Sequence, residues 1–340
     1  MLSICIVGCG FIGEKHLRCF LSTGRVSVAG FSRDPERRRE LSDRYGVPML
    51  SDYESVLEGS WDAVVICVPA NLHIDYGLRA LKARKHVLLE KPLSCSLQGV
   101  DVLQRLRDET RLSACVAYVL HFIPCLIEAG DFLRSGKLGR ILQVTVTAGY
   151  PLPGMRGGDA QPYDKTYYRD RRTGGGAIQD ALTHYASWVE SIVGPAESVL
   201  CDSAHVAVPN VEVEDLAHVL SRHGGTRVSY TLNQFQAPNE TTMQFNTASG
   251  SVKIEMHRER WGMHRTGEKD WTWNDAPVMG SDDLFATQAV AFLDHIAGIP
   301  GRLCSLEAAT DTLRFTLAAL ASTDEGGCRV EVAHRPSAGV

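Results

Sequence analysis

The stretch Leu2-Ser3-Ile4-Cys5-Ile6-Val7-Gly8-Cys9-Gly10-Phe11-Ile12-Gly13 decides the fold. An apolar run of strand character leads into GxGxxG, and the residues after it continue with helical spacing. Each glycine meets a separate demand. Gly8 permits a tight turn, Gly10 lets the backbone approach a pyrophosphate, and Gly13 lets the helix pack closely on its strand. The helix N-terminus adds N–H groups and the positive end of a dipole, which suits a phosphate. GxGxxG alone is a weak signal; strand, glycines and helix in register are a much stronger one. Gly8, Gly10, Phe11, Ile12 and Gly13 are therefore the expected dinucleotide-binding residues.

Outward from this turn, short apolar runs alternate with amphipathic stretches. Strands are expected at residues 3–7, 26–31, 63–68 and 86–89, and helices at 12–21, 35–45 and 73–83, with Asp34 as the N-cap before Pro35. That order predicts an N-terminal Rossmann domain, a doubly wound parallel sheet covered by helices on both faces. After about residue 124 longer alternating runs appear, at 141–150, 198–207, 217–220, 227–233 and 242–246. They predict a second α/β domain with a large, mostly antiparallel sheet and helices at 176–192, 283–297 and 305–321. The expected division is residues 1–124 and residues 125–340, ending in a loose tail at 335–339.

Composition narrows the partners. The chain has 340 residues, 44% of them hydrophobic, which favours two domains over one core. Its 35 basic and 40 acidic residues give a formal net charge of -5, so nothing draws it globally to nucleic acid or to an anionic membrane. No apolar run approaches the ~20 residues that span a bilayer, and no basic, apolar and cleavable leader opens the sequence. The ten cysteines are scattered, without a CxxC pair or a Cys/His cluster. No metal site is expected, and the cysteines read as free thiols in a reducing cytoplasm. The expected partner is a small molecule.

Cofactor choice rests on Val28-Ala29-Gly30-Phe31-Ser32-Arg33-Asp34. An acidic side chain at the end of the second strand would hold the adenosine ribose of NAD. Here Ser32 takes that place with Arg33 next to it, a pair able to hydrogen-bond and charge-pair a 2′-phosphate. NADP(H) is favoured and NAD(H) stays open, because Arg33 is also readable as a solvated turn residue ahead of the Asp34 cap.

From these glycines onward the chain resembles the glucose-fructose oxidoreductase, inositol dehydrogenase and MocA-like family over nearly its whole length. The motifs are the glycine fingerprint; Ile66-Cys67-Val68-Pro69-Ala70-Asn71-Leu72-His73, similar to the family segment that passes beside the cofactor; Glu90-Lys91-Pro92, similar to its EKP motif; and Gly174-Gly175-Gly176-Ala177-Ile178-Gln179-Asp180-Ala181-Leu182-Thr183-His184, similar to its triple glycine with Asp and His after it. The resemblance implies Lys91, Asp180 and His184 as catalytic residues. It adds Pro69, Asn71, His73, Glu90, Lys91 and Tyr118 to the cofactor set that already holds Ser32 and Arg33. Residues four apart share a helix face, so Asp180 and His184 can present a carboxylate and an imidazole together. His184 is suited to take a hydroxyl proton, while Lys91 can stabilise an alkoxide, orient the hydroxyl or share the proton. Asp180 can orient the imidazole or bind a neighbouring hydroxyl.

Two departures bear on the substrate. Leu182 stands where the family commonly has glycine, and His121 where it often has arginine. The stretch 163–172, Tyr-Asp-Lys-Thr-Tyr-Tyr-Arg-Asp-Arg-Arg, reads either as a loop that closes over a polyhydroxylated substrate or as a surface or subunit contact. Tyr163 and Arg169 join Lys91, Tyr118, Asp180 and His184 as expected substrate contacts. The cluster His257-Arg258-Glu259-Arg260-Trp261 reads as cleft wall or dimer contact. The expected activity is hydride transfer between a nicotinamide cofactor and a secondary hydroxyl or ketone of a sugar, sugar derivative or cyclitol. The alternative is a redox-neutral enzyme holding NAD tightly and cleaving or eliminating a glycoside through a transient keto-sugar. By analogy with the family, a homodimer or homotetramer is expected.

Overall fold

Aliphatic side chains fill both faces of the first strand, and Ile4, Cys5, Ile6 and Val7 are all fully buried in the computed structural model, which describes residues 1–152 and 163–332. Burial on both faces is the mark of a strand covered by helices on each side. The first sheet holds β1 (Leu2–Val7), β2 (Val26–Phe31), β3 (Met49–Leu50), β4 (Ala63–Ile66), β5 (His86–Glu90), β6 (Ala114–Ala117) and β15 (Cys304–Ser305), in the order β15-β6-β5-β4-β1-β2-β3. All its neighbours run parallel except β15, which is antiparallel to β6. Between the strands run α1 (Phe11–Ser22), α2 (Pro35–Tyr45), α3 (Tyr53–Glu58), α4 (His73–Lys82) and α5 (Val100–Thr110). Asp34 caps α2 as expected, accepting from the Glu36 N–H at 2.9 Å.

The remaining strands are β7 (Ile141–Pro151), β8 (Ser198–Ala204), β9 (Leu216–His223), β10 (Thr226–Asn233), β11 (Phe235–Thr247), β12 (Gly250–Glu255), β13 (Arg260–Arg265), β14 (Thr272–Asp275) and β16 (Val330–Glu331). They form a nine-stranded sheet in the order β14-β13-β12-β11-β7-β10-β9-β8-β16, in which only β7 and β10 pair in parallel. Burial alternates along β9 and β10, with Ala217, Val219, Val228, Tyr230 and Leu232 inward, so one face carries the core and the other faces away from it. The helices that accompany it include α6 (Pro124–Arg134) and α7 (Thr183–Val193), whose Trp188 meets Phe245 edge-on at 5.8 Å.

The chain divides into two units, residues 1–122 with 279–310, and residues 123–278 with 311–340. This differs from the contiguous second domain expected over 125–340. The cause is α8 (Ser281–Ile296), which packs on α1 instead of joining the nine-stranded sheet. Gly13, His16, Leu17 and Phe20 form the inward stripe of α1, and Phe20 shares one core cluster with Ala289, Phe292 and Leu293. The Phe20 and Phe292 rings meet edge-on at 6.3 Å, and Arg18 grips Asp282 with two hydrogen bonds of 2.6 and 2.7 Å. The last helix, α9, spans Leu306–Asp324. The expected tail at 335–339 lies outside the described residues. Among the described residues no helix is long and apolar enough to cross a membrane.

Truncating Phe20 to alanine removes a fully buried ring from this core and should cost about 3–5 kcal/mol, read as a lower urea midpoint. A midpoint within error of the wild type would mean that α8 does not close this core.

Candidate active site

In a parallel sheet the turns leaving the strands all emerge at one edge, and ligands of open α/β sheets bind outside that carboxyl edge. Gly8 to Gly13 come directly after β1, Ser32 and Arg33 after β2, Pro69 and Asn71 after β4, Lys91 after β5 and Tyr118 after β6. The first unit therefore gathers its expected site residues along one rim.

The glycine turn is tied to the sheet through its backbone. The N–H groups of Gly8 and Cys9 both donate to the Phe31 carbonyl at 3.1 Å, tying β1 to the end of β2. Gly8 has φ +93°, and a Cβ there would stand 2.8 Å from the Cys67 carbonyl oxygen. A Cβ at Gly13 would stand 2.9 Å from the Gly8 carbonyl carbon and closer still to its oxygen, so only glycine lets α1 start against β1. At Gly10 a Cβ would meet nothing within 4 Å. Phe11 beside it is 60% exposed. An open glycine at the start of a helix whose first N–H groups have no intrahelical acceptor fits a pyrophosphate. The one acid in the first turn, Glu14, is turned to Arg37, Arg44 and Tyr45. Burial pushes its carboxyl up, but these three donors hold it below its ordinary value.

At the end of β2 no carboxylate takes the ribose-binding place. Ser32 Oγ accepts from the Asp34 N–H at 3.3 Å, Asp34 is engaged in its cap, and Arg33 is exposed. Two arginines that the sequence pattern does not single out stand beside them. Arg38 Nη1 donates to the carbonyls of Ser32 and Arg33 at 2.8 and 3.0 Å, and Arg37 Nε to that of Cys9 at 3.0 Å. Their signal is the run Arg37-Arg38-Arg39 in the first turns of α2.

Behind Lys91 lies a buried polar brace. Glu90 Oε2 accepts from the Lys91 N–H at 3.0 Å, and Oε1 lies 2.7 Å from Nε2 of the fully buried His16. Burial alone would raise the Glu90 carboxyl, yet the His16 hydrogen bond and the charges of His16 and Lys91 hold it below the ordinary glutamate value. His73 is 1% exposed, with Nδ1 2.9 Å from the Pro92 carbonyl oxygen and Nε2 2.8 Å from that of Val68. Glu90 and His73 are both among the expected cofactor-binding residues. Both are directed inward, onto backbone and His16, and fix the segments that flank Lys91. Pro69 is half-buried, Asn71 is exposed, and Tyr118 is buried with its ring edge-on to His121 at 6.4 Å.

In the second unit, the helix expected over 176–192 opens as a π-helical turn, Ala177–Leu182, before α7. Asp180 and His184 thus flank a junction of two helix types instead of sharing a regular α-helix face, an arrangement that recurs at functional sites. Glu214 anchors the start, its carboxylate accepting from the Ile178 N–H at 3.0 Å and its carbonyl from the Ala177 N–H at 2.8 Å. Gly176, with φ +92°, has no room for a Cβ beside that carboxylate. Asp180 is 8% exposed, and Oδ1 accepts from the Tyr167 hydroxyl at 2.7 Å. Arg169 is exposed and Leu182 is buried. Tyr163 opens a short 3-10 turn, and its side chain lies outside the described residues. The His257 to Trp261 cluster works within its own unit. His257 Nδ1 lies 3.1 Å from the Thr241 carbonyl oxygen, Arg260 pairs with Glu255, and Trp261 Nε1 donates to Glu128 at 3.0 Å.

The glycine cradle and the brace can each be tested. Gly13→Ala should abolish dinucleotide binding in a fluorescence titration, and a dissociation constant like that of the wild type would sink the cradle assignment. For Glu90 the sign runs with its lowered pKa. Its stabilising contribution is complete above the unfolded glutamate value of about 4.3 and disappears as pH falls through the lower folded value. The melting-temperature gap between wild type and His16→Ala should therefore narrow from about pH 7 toward about pH 3. A gap independent of pH would mean that only packing is lost.

Comparison with known proteins agrees with this geometry. Residues 2–118 match the model of the oxidoreductase family with an NAD-binding Rossmann fold, and residues 127–253 match the GFO/IDH/MocA C-terminal domain. An uncharacterized oxidoreductase of Synechocystis sp. is 25% identical over 286 residues, 83% of this chain and 72% of that one. A D-xylose 1-dehydrogenase (NADP(+)) of Haloferax volcanii is 25% identical over 251 residues, 73% of this chain and 74% of that one. Several other curated relatives are matched over only about half of their own length. The solved levoglucosan dehydrogenase in complex with NADH and levoglucosan superposes with a TM-score of 0.86 at 18% identity, covering 98% of this chain and 100% of that one. Glycine cradle, EKP brace and the two matched models converge, and the chain belongs to the GFO/IDH/MocA family of NAD-binding oxidoreductases.

Proposed function

We propose that this oxidoreductase moves hydride between a nicotinamide dinucleotide, NADP(H) in preference to NAD(H), and a secondary hydroxyl or ketone of a sugar, a sugar derivative or a cyclitol. The observation that carries this reading is the Lys91 brace. A buried carboxylate clamps the Lys91 backbone at the same sheet edge where the glycine turn stands open.

Bound dinucleotide would supply the hydride acceptor or donor. In this reading Gly8 to Gly13 and the first turn of α1 hold its pyrophosphate. Lys91 orients the reacting hydroxyl and stabilises negative charge developing on its oxygen. His184 takes the hydroxyl proton, and Asp180 orients the imidazole or binds a neighbouring hydroxyl. Tyr118, Tyr163 and Arg169 are assigned to the substrate. Relatives named with NADP(+) and with NADH both occur, so cofactor preference rests on the end of β2 in this chain. Ser32, an exposed Arg33 and the neighbouring Arg38 suit a 2′-phosphate better than a bare ribose. The sugar class is supported by relatives whose names specify xylose, inositol and levoglucosan. A cytoplasmic homodimer or homotetramer completes the proposal, and ten cysteines held as thiols suit a reducing compartment.

The test begins with mass spectrometry of small molecules released from the purified protein, and then titration with NAD, NADH, NADP and NADPH. D-xylose, levoglucosan and myo-inositol are then screened for turnover at 340 nm. No bound cofactor and a preference for NADPH are expected. Retained NAD that does not exchange would favour the redox-neutral glycoside reaction instead.

Lys91→Ala or His184→Ala should lower kcat by about 10²–10⁴ while dinucleotide affinity is largely kept. Near-normal turnover in both would remove their catalytic roles. Arg33→Ala should weaken NADP binding far more than NAD binding, and equal losses would exclude a 2′-phosphate contact.

A further inference from the structure

We infer that Tyr167 is a positioning residue for Asp180, its hydroxyl fixing the carboxylate at the start of the helix that leads to His184. The inference rests on the proposed role of Asp180 and adds the group that holds it. The sequence pattern singles out Tyr163 and Arg169 from the same stretch and gives no reason to choose Tyr167.

The loop that carries Tyr167 is built onto the helix it serves. Thr173 Oγ1 donates to the carbonyls of Tyr167 and Asp170 at 2.7 and 2.9 Å, and the Gly175 N–H donates to the Asp170 carbonyl at 3.0 Å. A Cβ at Gly175 would stand 2.5 Å from the Tyr168 carbonyl carbon and closer still to its oxygen. Glycine at that place is thus what lets the loop lie against the helix start. The Tyr168 side chain is fully buried and donates to Gln234, which pins the neighbouring residue from the other side. Tyr167 therefore reaches Asp180 from a fixed frame.

The chemistry around Asp180 explains why a donor is required. A carboxylate that is 8% exposed is costly to keep ionised unless hydrogen bonds compensate. Other charged and titratable groups on the elements around it include Glu214, Arg171 and His184. Glu214 accepts from Ile178 and is pushed up by burial; Arg171 is paired with Asp324 at 2.8 and 3.0 Å; His184 lies on the next turn. The Tyr168 phenol is driven far up, first by burial and then by the charge of Asp180, so it stays neutral and bonded to Gln234. Tyr167 supplies the 2.7 Å donor to Oδ1, a charge-assisted bond of the stronger kind.

Tyr167→Phe removes only that hydroxyl. With whichever of D-xylose, levoglucosan and myo-inositol the wild type oxidises, kcat/KM should fall about tenfold. Its acid limb should move about one unit to higher pH, because a donor lost from a carboxylate disfavours the ionised form. Dinucleotide affinity should not change. Loss of activity without a moved limb, or no loss at all, overturns the inference; Asp180→Asn turning over like the wild type overturns the parent reading instead. A second readout needs no turnover. With 3-fluorotyrosine at position 167, the ¹⁹F signal should titrate at higher pH in the otherwise native protein than in Asp180→Asn, and identical titrations would overturn the contact.

Discussion

Helix α1 can begin where it does only because residue 13 has no side chain. A Cβ there would press into the Gly8 carbonyl, so the close approach of helix to strand is a backbone contact with no tolerance for a methyl group. That contact aims the helix N-terminus at the carboxyl edge of the sheet. It also fixes where the later turns of the helix fall. His16, one turn on, is carried over the end of β5, where its ring meets Glu90, and Phe20, two turns on, is carried into the cluster that α8 closes. Cofactor cradle, lysine brace and the return of α8 to the first unit all depend on one glycine-to-glycine approach.

The brace shows how burial can serve position instead of stability. A carboxylate taken out of water loses several kcal/mol of solvation that a partner must offset. Glu90 recovers it from His16 and from the N–H of Lys91, and each bond also fixes a geometry. His73 does the same for the carbonyls of Val68 and Pro92, joining the turn after β4 to the residue after Lys91. Lys91 thereby stands on a rigid element instead of a loose loop, which the role proposed for it requires, since an orienting group must be placed within a few tenths of an ångström.

The second unit solves the same problem with a different device. A widened π-helical turn, closed at its start by Glu214 and overlaid by the loop 166–175, presents Asp180 and His184 at a change of helix type. A regular α-helix would have placed them by spacing alone. Here the placement depends on Gly175 and Gly176, which leave room for the Tyr168 carbonyl and for the Glu214 carboxylate.

What the sequence by itself determined was local. Val26–Phe31 and Pro35–Tyr45 are bounded as their own residues predict, because a short apolar run, a proline and an Asp cap act within a few residues of themselves. The glycine fingerprint, the EKP motif and the Gly-Gly-Gly…Asp…His stretch disclosed the family for the same reason, since each is a contiguous demand on the backbone. Strands β12 to β14 were not legible, because on a one-sided sheet edge their Lys253, Arg260 and His264 look like loop residues. The tertiary structure alone decided that residues 279–310 rejoin the first unit, that Glu90 and His73 brace the segments flanking Lys91, and that Tyr167 meets Asp180. The contacts concerned join residues as much as 264 positions apart, or turn on the direction of a loop side chain. Hydrophobic periodicity reports which face of an element is buried; it carries no information about which distant polar atom will be waiting there.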